Sequence, residues 1–250
     1  MTSRRRLRRF FSNDPLPATG QRVFLSEDET RHLRKILRLK SGDECLVRDA
    51  GGQEARAVIV GYPAAGGTEI QIQELMSQAL DSKLSIKVFA AVPQHGKMDF
   101  LVEKAQELGV AELTPLQTAR TVLKMQGAGR ERAVERWRRI SREALKQSGS
   151  SVVMKVREPL TLKEALAAVP PRETLAFFHP SSDAVEFSNW IQEWESNMPL
   201  NIFFGPEGGF SPEEVKAAAA KGAAIISLGQ NVLKTDTAFV GVIAALRFML

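Results

Sequence analysis

The chain has 250 residues, 44% hydrophobic and 25% charged, a composition expected of a globular protein with one large domain or two smaller ones. Lysine and arginine number 34 against 29 acidic residues, and the net charge of +5 favours a polyanionic partner. The single cysteine, Cys45, excludes an intramolecular disulfide framework and any multi-cysteine zinc site. The three histidines lack metal-ligand spacing, and no apolar run approaches the ~18 residues of a transmembrane helix, so neither a metal nor a membrane is expected. Arginines 4, 5, 6, 8 and 9 are not followed by an apolar stretch, so no secretory signal is expected and the cytoplasm is the default location.

In chain order, residues 1–12 are basic and lead to Phe10 and Phe11. A short strand is expected over 22–25. Ser26 and Glu29 form a capping-box pattern that opens a helix to about residue 37, with Leu33, Ile36 and Leu37 as its apolar stripe. Short strands follow over 44–48, 55–61 and 69–75, separated by glycine turns. Cys45 falls in the first of them and is expected in the core. Several short strands with one helix predict a small β-barrel, a fold that often binds nucleic acid. Residues 77–82 read as a linker.

The pattern then changes. Strands are expected over 84–92, 110–113, 174–178, 200–204 and 224–228. Helices are expected over 97–108, 130–147, 184–195, 212–221 and 236–249. Gly109 suits the residue just past a helix end. Trp137, Ile140, Ala144 and Leu145 are the candidate buried positions of the long basic helix. Alternating strands and helices predict a mostly parallel sheet with helices on both faces.

In such a sheet, ligands bind beyond the C-terminal strand ends. Three of those ends carry unusual residues: Phe177-Phe178-His179-Pro180, the glycine-rich run from Gly205 to Glu214, and the stretch from Ile226 to Ala238. If adjacent strands carry them, they converge on one pocket. Ser211 is a candidate N-cap, Pro212 fits the first helical position and Glu214 completes a capping box. Glycines before a helix suggest phosphate, but Glu207 would repel it and neither GxxxxGK[ST] nor GxGxxG is present. A neutral or cationic ligand fits better, and S-adenosylmethionine combines an adenine with a sulfonium that tolerates a nearby carboxylate.

These motifs resemble a known family. Gly205-Pro206-Glu207-Gly208-Gly209-Phe210-Ser211-x-x-Glu214, followed by Leu228-Gly229-x-x-Val232-Leu233-Lys234-Thr235-Asp236-Thr237-Ala238, is similar to the SPOUT-class 16S ribosomal RNA uridine-N3 methyltransferases. So are Arg8-Arg9-Phe10-Phe11 and His32-Leu33-x-x-Ile36-Leu37-Arg38-x-x-x-Gly42-Asp43. Lys97, Glu103-Lys104-Ala105, Glu107-Leu108-Gly109-Val110, Trp137 and Glu143-Ala144-x-x-Gln147-Ser148-Gly149 extend the likeness. Lys234 and Asp236 stand where that family usually has arginine and glutamate, and Ser150 where it has arginine.

The resemblance implies a PUA-like RNA-binding module over 1–76, a linker over 77–82 and a knotted α/β methyltransferase domain over 83–250. It further implies a homodimer, S-adenosylmethionine as methyl donor and 16S ribosomal RNA of the small subunit as substrate. The cofactor would be held by Phe178, His179, Gly205, Pro206, Glu207, Gly208, Gly209, Leu228, Gly229, Val232, Leu233 and Thr237. Lys234, Asp236 and Glu207 are the catalytic candidates, Glu207 either facing the ligand or holding the loop. Arg8, Arg9, His32, Arg34, Arg38, Arg120, Arg138, Arg139 and Arg142 are the RNA-binding candidates. Two alternatives stay open: a non-catalytic RNA-binding or ribosome-assembly protein on this fold, and a SPOUT methyltransferase for another RNA nucleotide.

Overall fold

A computed structural model describes residues 7–49, 52–64, 66–76, 84–94, 96–122, 125–148, 150, 152–181, 183–194 and 198–249. The expected linker over 77–82, Arg4, Arg5, Arg6 and Gly149 lie outside the described residues. The chain divides into two compact units, Met1–Asp81 and Ser82–Leu250.

The first unit holds five strands: β1 (Arg9–Phe11), β2 (Arg22–Leu25), β3 (Glu44–Arg48), β4 (Glu54–Gly61) and β5 (Thr68–Met76). They form one sheet in the order β1-β3-β4-β5-β2, antiparallel except for the β1–β3 pair. The sheet curls into a half-barrel whose pairing path ends at β1 and β2. Helix α1 (Glu27–Arg31) is hydrogen-bonded to both β1 and β5. The Phe11 amide donates to the Glu29 carboxylate at 3.4 Å, and the Thr30 and Thr68 hydroxyls meet at 2.7 Å. Alternating strand residues, among them Val23, Leu25, Cys45, Val47, Ala57, Ile59, Ile70 and Ile72, fill the interior with Phe10 and Leu33. Burial pushes the Cys45 thiol up to about 12, so it stays neutral in that core.

The expected helix through residue 37 divides in two. Ser26 caps α1 by accepting the Glu29 amide, but His32–Ile36 is a π-helical turn in which the Leu37 amide reaches the His32 carbonyl at 3.1 Å. Of the expected apolar stripe, Leu33 is buried and Leu37 packs against the core, but Ile36 is exposed. Period counting cannot separate the two helix types over one turn.

The second unit is a parallel sheet flanked by helices. Its strands are β6 (Ile86–Ala91), β7 (Glu112–Gln117), β8 (Lys155–Val156), β9 (Leu160–Thr161), β10 (Thr174–Phe178), β11 (Val185–Glu186), β12 (Leu200–Phe204) and β13 (Ala224–Ser227). The helices are α2 (Met98–Glu107), α3 (Gly127–Ser148), α4 (Leu162–Ala168), α5 (Phe187–Glu193), α6 (Pro212–Ala220) and α7 (Thr235–Met249). The order is β11-β13-β10-β12-β6-β7-β8, with β9 pairing β7. Near-continuous apolar runs such as Leu200–Phe204 are buried on both faces, as a covered parallel sheet requires. One face packs against α2, α3 and α7 through Leu101, Trp137, Phe239 and Ile243. The other packs Phe89, Phe177 and Phe203 against Phe210.

The strand expected over 110–113 is displaced to β7. The Val110 amide is used to close α2 on the Ala105 carbonyl at 2.9 Å, beyond Gly109 at φ +70°. Helix α3, 22 residues and about six turns long, is basic on its surface around an inner row: Trp137, Ala144 and Leu145 are buried, and Ile140 is partly buried against the core. The helix expected over 184–195 is shorter because Val185 and Glu186 pair with β13.

Candidate functional site

Strand β10 lies between β12 and β13, so the three unusual strand ends meet side by side. Beyond them is a cavity of about 380 Å³, within the size range of small-molecule sites. Phe178 and His179 line it from β10, Gly205–Gly209 from β12, and Leu228, Gly229, Val232, Leu233 and Lys234 from the last loop. Of the expected cofactor residues, Thr237 alone does not line it; its amide instead donates to the Asp236 carboxylate at 3.0 Å. Pro180, Phe204, Ile226, Asn231, Thr235 and Ala238 also line it; all lie in the three converging strand-end segments, though none is among the expected cofactor contacts. Phe204 and Ile226 end buried strands, and periodicity assigns them to the core, not to a pocket floor.

The glycine-rich loop is shaped by close packing. Its Gly209 amide donates to the Pro206 carbonyl at 2.8 Å, and Gly209 sits at φ +69°, which disfavours other residues. Ser211 caps α6, with Glu214 closing the capping box. Neighbouring segments hold the loop from outside. The Gln94 amide donates to Glu207 Oε1 at 3.3 Å, Arg120 donates to the Gly208 carbonyl at 2.6 Å, and the Ala119 amide donates to Glu214 Oε1 at 2.7 Å. From α7, Thr235 Oγ1 donates to the Gly205 carbonyl at 3.2 Å. Thr235 belongs to the expected third stretch, but the sequence does not foretell its contact with the Gly205 carbonyl.

His179 is half-buried on the cavity wall, and its Nδ1 is buried with no protein partner among the described residues. Burial first, and the Arg120 charge second, hold its pKa below the ordinary 6.5, so the ring is neutral near pH 7. Asp236 lies beside the cavity rather than on it and pairs with Lys97 at 3.4 Å. Burial raises the Asp236 carboxyl, but the Thr237 amide, Lys97 and its own amide outweigh that and hold the pKa below its usual value. No Lys234–Asp236 ion pair is formed; Lys234 is exposed on the rim. Among the described residues no group of three or more histidines, cysteines or acidic side chains could hold a metal, and no helix is long and apolar enough to cross a membrane.

The RNA-binding candidates fall into two kinds. In the first unit, Arg8, His32, Arg34 and Arg38 are exposed, whereas the Arg9 guanidinium donates to Glu54 at 2.5 Å. In the second, Arg120 holds the glycine-rich loop, and Arg138 contacts the Val156 carbonyl and Glu158. Arg139 and Arg142 are exposed on α3. Arg9, Arg120 and Arg138 thus serve internal contacts that clustering of charge in the sequence does not reveal.

The chain matches two families: the RNA methyltransferase domain over residues 80–247 and the RNA methyltransferase PUA domain over residues 25–61. It is 32% identical to ribosomal RNA small subunit methyltransferase E of Synechocystis sp., over 86% of this chain and 69% of that protein. Against the Bacillus subtilis enzyme of the same name, identity is 23% over 90% of this chain and 89% of that protein. Among solved structures, the Neisseria gonorrhoeae ribosomal RNA small subunit methyltransferase E bound to S-adenosyl methionine superposes with a TM-score of 0.83. That match has 25% identity over 97% of this chain and 98% of that one. With its SPOUT-type α/β sheet and curled N-terminal half-barrel, the chain belongs to the RNA methyltransferase family of the ribosomal RNA small subunit methyltransferase E type.

Proposed function

We propose that this protein transfers the methyl group of S-adenosylmethionine to N3 of a specific uridine in 16S ribosomal RNA of the small subunit. The observation that carries this reading is the cavity built where β10, β12 and β13 end side by side. Its floor is apolar, with Phe178, Phe204, Ile226 and Leu228, and its rim carries the Glu207 carboxylate. This suits an adenine and a sulfonium better than a polyphosphate, so the residues present fit the cofactor. When bound, S-adenosylmethionine supplies a methyl group already activated by the positive sulfur.

The protein's remaining tasks are orientation and proton removal at uridine N3, a weak nucleophile until its proton leaves. Backbone amides and carbonyls of Gly205, Gly208, Gly209, Leu228 and Gly229 hold the donor. Glu207 anchors the loop through the Gln94 amide and presents negative charge on the rim. Lys234, on the rim, and Asp236, held by Lys97, orient the uracil or its phosphate. Residues 1–76 serve as the RNA-binding module, 77–82 as linker and 83–250 as the catalytic domain, with the last loop making the crossing of a trefoil knot. The exposed Val232 and Leu233 of that loop, 84% and 43% accessible, support a homodimer in which a second copy covers them. A cytoplasmic location follows from a ribosomal substrate.

The test is to incubate the protein with labelled donor and unmodified small subunits or naked 16S RNA, then map the methyl group by nucleoside analysis. N3-methyluridine is the expected product. Methyl on another nucleotide would support a SPOUT enzyme of different target, and RNA binding without donor binding would support a ribosome-assembly role.

A further inference from the structure

Residues 32–41 concentrate three features that methyl transfer leaves unused. The first is the π-helical turn His32–Ile36, a rare geometry that recurs at functional sites. The second is Arg38, at φ +54° the only left-handed residue other than glycine among those described. Left-handed backbone is disfavoured by any Cβ. Elsewhere this chain gives the same position to glycine. Gly109 follows α2 and Gly222 follows α6, at φ +70° and +81°. In each case the next amide closes the helix, Val110 on Ala105 at 2.9 Å and Ala223 on Ala218 at 3.1 Å. After the π turn, the Leu39 amide closes on the Leu33 carbonyl at 3.1 Å, and arginine occupies the glycine position. Strain accepted where glycine would relieve it points to a task for the side chain.

The third feature is what that side chain lines. Arg34, Arg38, Leu39, Lys40, Ser41 and Tyr62 line an open cleft of about 380 Å³. The Arg34 guanidinium lies 5.1 Å above the Tyr62 ring centroid. Tyr62 is fixed by its hydroxyl, which donates to the Leu39 carbonyl at 2.8 Å. Arg34, Arg38 and Lys40 are exposed, and among the described residues no carboxylate pairs with their side chains. The nearby Asp43 carboxylate accepts from the Lys40 backbone amide at 2.7 Å instead.

We propose that this cleft is a one-nucleotide subsite for single-stranded RNA. Arg38 and Lys40 take the phosphodiester, and Arg34, positioned over Tyr62, stacks on the base. A planar cation beside two unpaired cations suits an unstacked nucleotide, whose base face is available, better than a duplex. The inference rests on the reading of RNA as substrate and adds to it the place and form of one contact.

The test uses the full chain and a fluorescent single-stranded oligouridylate, with anisotropy across a salt series. Arg38→Gly removes both the strain and the charge. It is expected to raise the melting temperature by a few degrees and to weaken RNA binding about tenfold. The slope of log affinity against log salt should fall by about 0.7, one single-strand phosphate. Arg38→Lys should keep the slope, and Arg34→Lys should weaken binding while keeping it. Wild-type affinity and slope in Arg38→Gly would overturn the proposal, as would a variant that binds weakly because it melts lower. Methyl transfer to N3 together with a slope indifferent to Arg38 would sink this inference alone. Arg38-dependent RNA binding without any methyl transfer would sink the functional reading and leave the subsite standing.

Discussion

Replacing Gly205 by alanine tests whether the glycine-rich loop is shaped by the protein or only by its ligand. A Cβ at Gly205 would lie 3.0 and 3.1 Å from two carbons of the Phe210 ring. Phe210 is 1% exposed and its ring packs tilted against Phe177 with centroids 4.1 Å apart, so it has nowhere to retreat. The loop or the ring must shift by several tenths of an ångström, an overpacking that costs about 1–3 kcal/mol. In a unit of this size the melting temperature should fall by roughly 2–10 °C. Because Gly205 also accepts the Thr235 hydroxyl, part of the shift reaches the cavity wall. If ~1.4 kcal/mol of it must be undone on binding, S-adenosylmethionine affinity drops about tenfold. Gly208→Ala is the control. Its Cβ would meet Arg120 carbons at 3.6 and 3.7 Å, ordinary contact, so stability should stay within ~0.5 kcal/mol of wild type. Calorimetric titration with the donor and thermal melts of both variants decide the matter. Equal stability and affinity in Gly205→Ala and wild type would refute the reasoning.

Gly109→Ala pushes a Cβ against the Arg247 guanidinium and requires a residue with Cβ at φ +70°, so stability should fall by at least ~1 kcal/mol in thermal melts while donor affinity holds. For pH, the His179 pKa lies below its unfolded value, so between the two the unfolded chain binds more protons and stability rises with pH. Urea midpoints should therefore decline as pH falls from 6.5, and Arg120→Gln, which removes the second cause of the shift, should reduce that decline. Asp236→Asn and Lys97→Met each break the ion pair beside the cavity; both should slow methyl transfer by about tenfold or more with donor affinity nearly unchanged. Wild-type rates in either variant would remove Asp236 from the orienting role.

The sheet was legible because its strands are short apolar runs bounded by glycine, proline or polar turns. The pocket was legible because three unusual strand ends fall on neighbouring strands. What stayed hidden has physical reasons. The β1, β8, β9 and β11 pairings involve two or three residues each, too few for any period to register. Val110 looks like a strand residue and is one in composition, but its amide belongs to the end of α2. Arg9, Arg120 and Arg138 carry the same charge as Arg139 and Arg142, and only tertiary contacts separate cations that hold the fold from cations left for a partner.

The contacts around the glycine-rich loop explain how a backbone-lined pocket can bind at all. Ordering one residue's backbone costs about 1–2 kcal/mol, so a five-residue loop that ordered only on binding would lose ~5–10 kcal/mol of affinity. Here the ordering is done beforehand by Gln94, Ala119, Arg120 and Thr235, which reach the loop from beyond β6 and β7 and from the start of α7. Glu207 belongs to this scheme. Its carboxylate accepts the Gln94 amide and lines the cavity at the same time, so holding the loop and facing the cavity are one arrangement. A carboxylate fixed in this way keeps its charge at a defined place on the rim, where a freely rotating acid would spread it into solvent. That is the condition under which a preorganised negative group favours a cationic donor over a neutral one of the same shape.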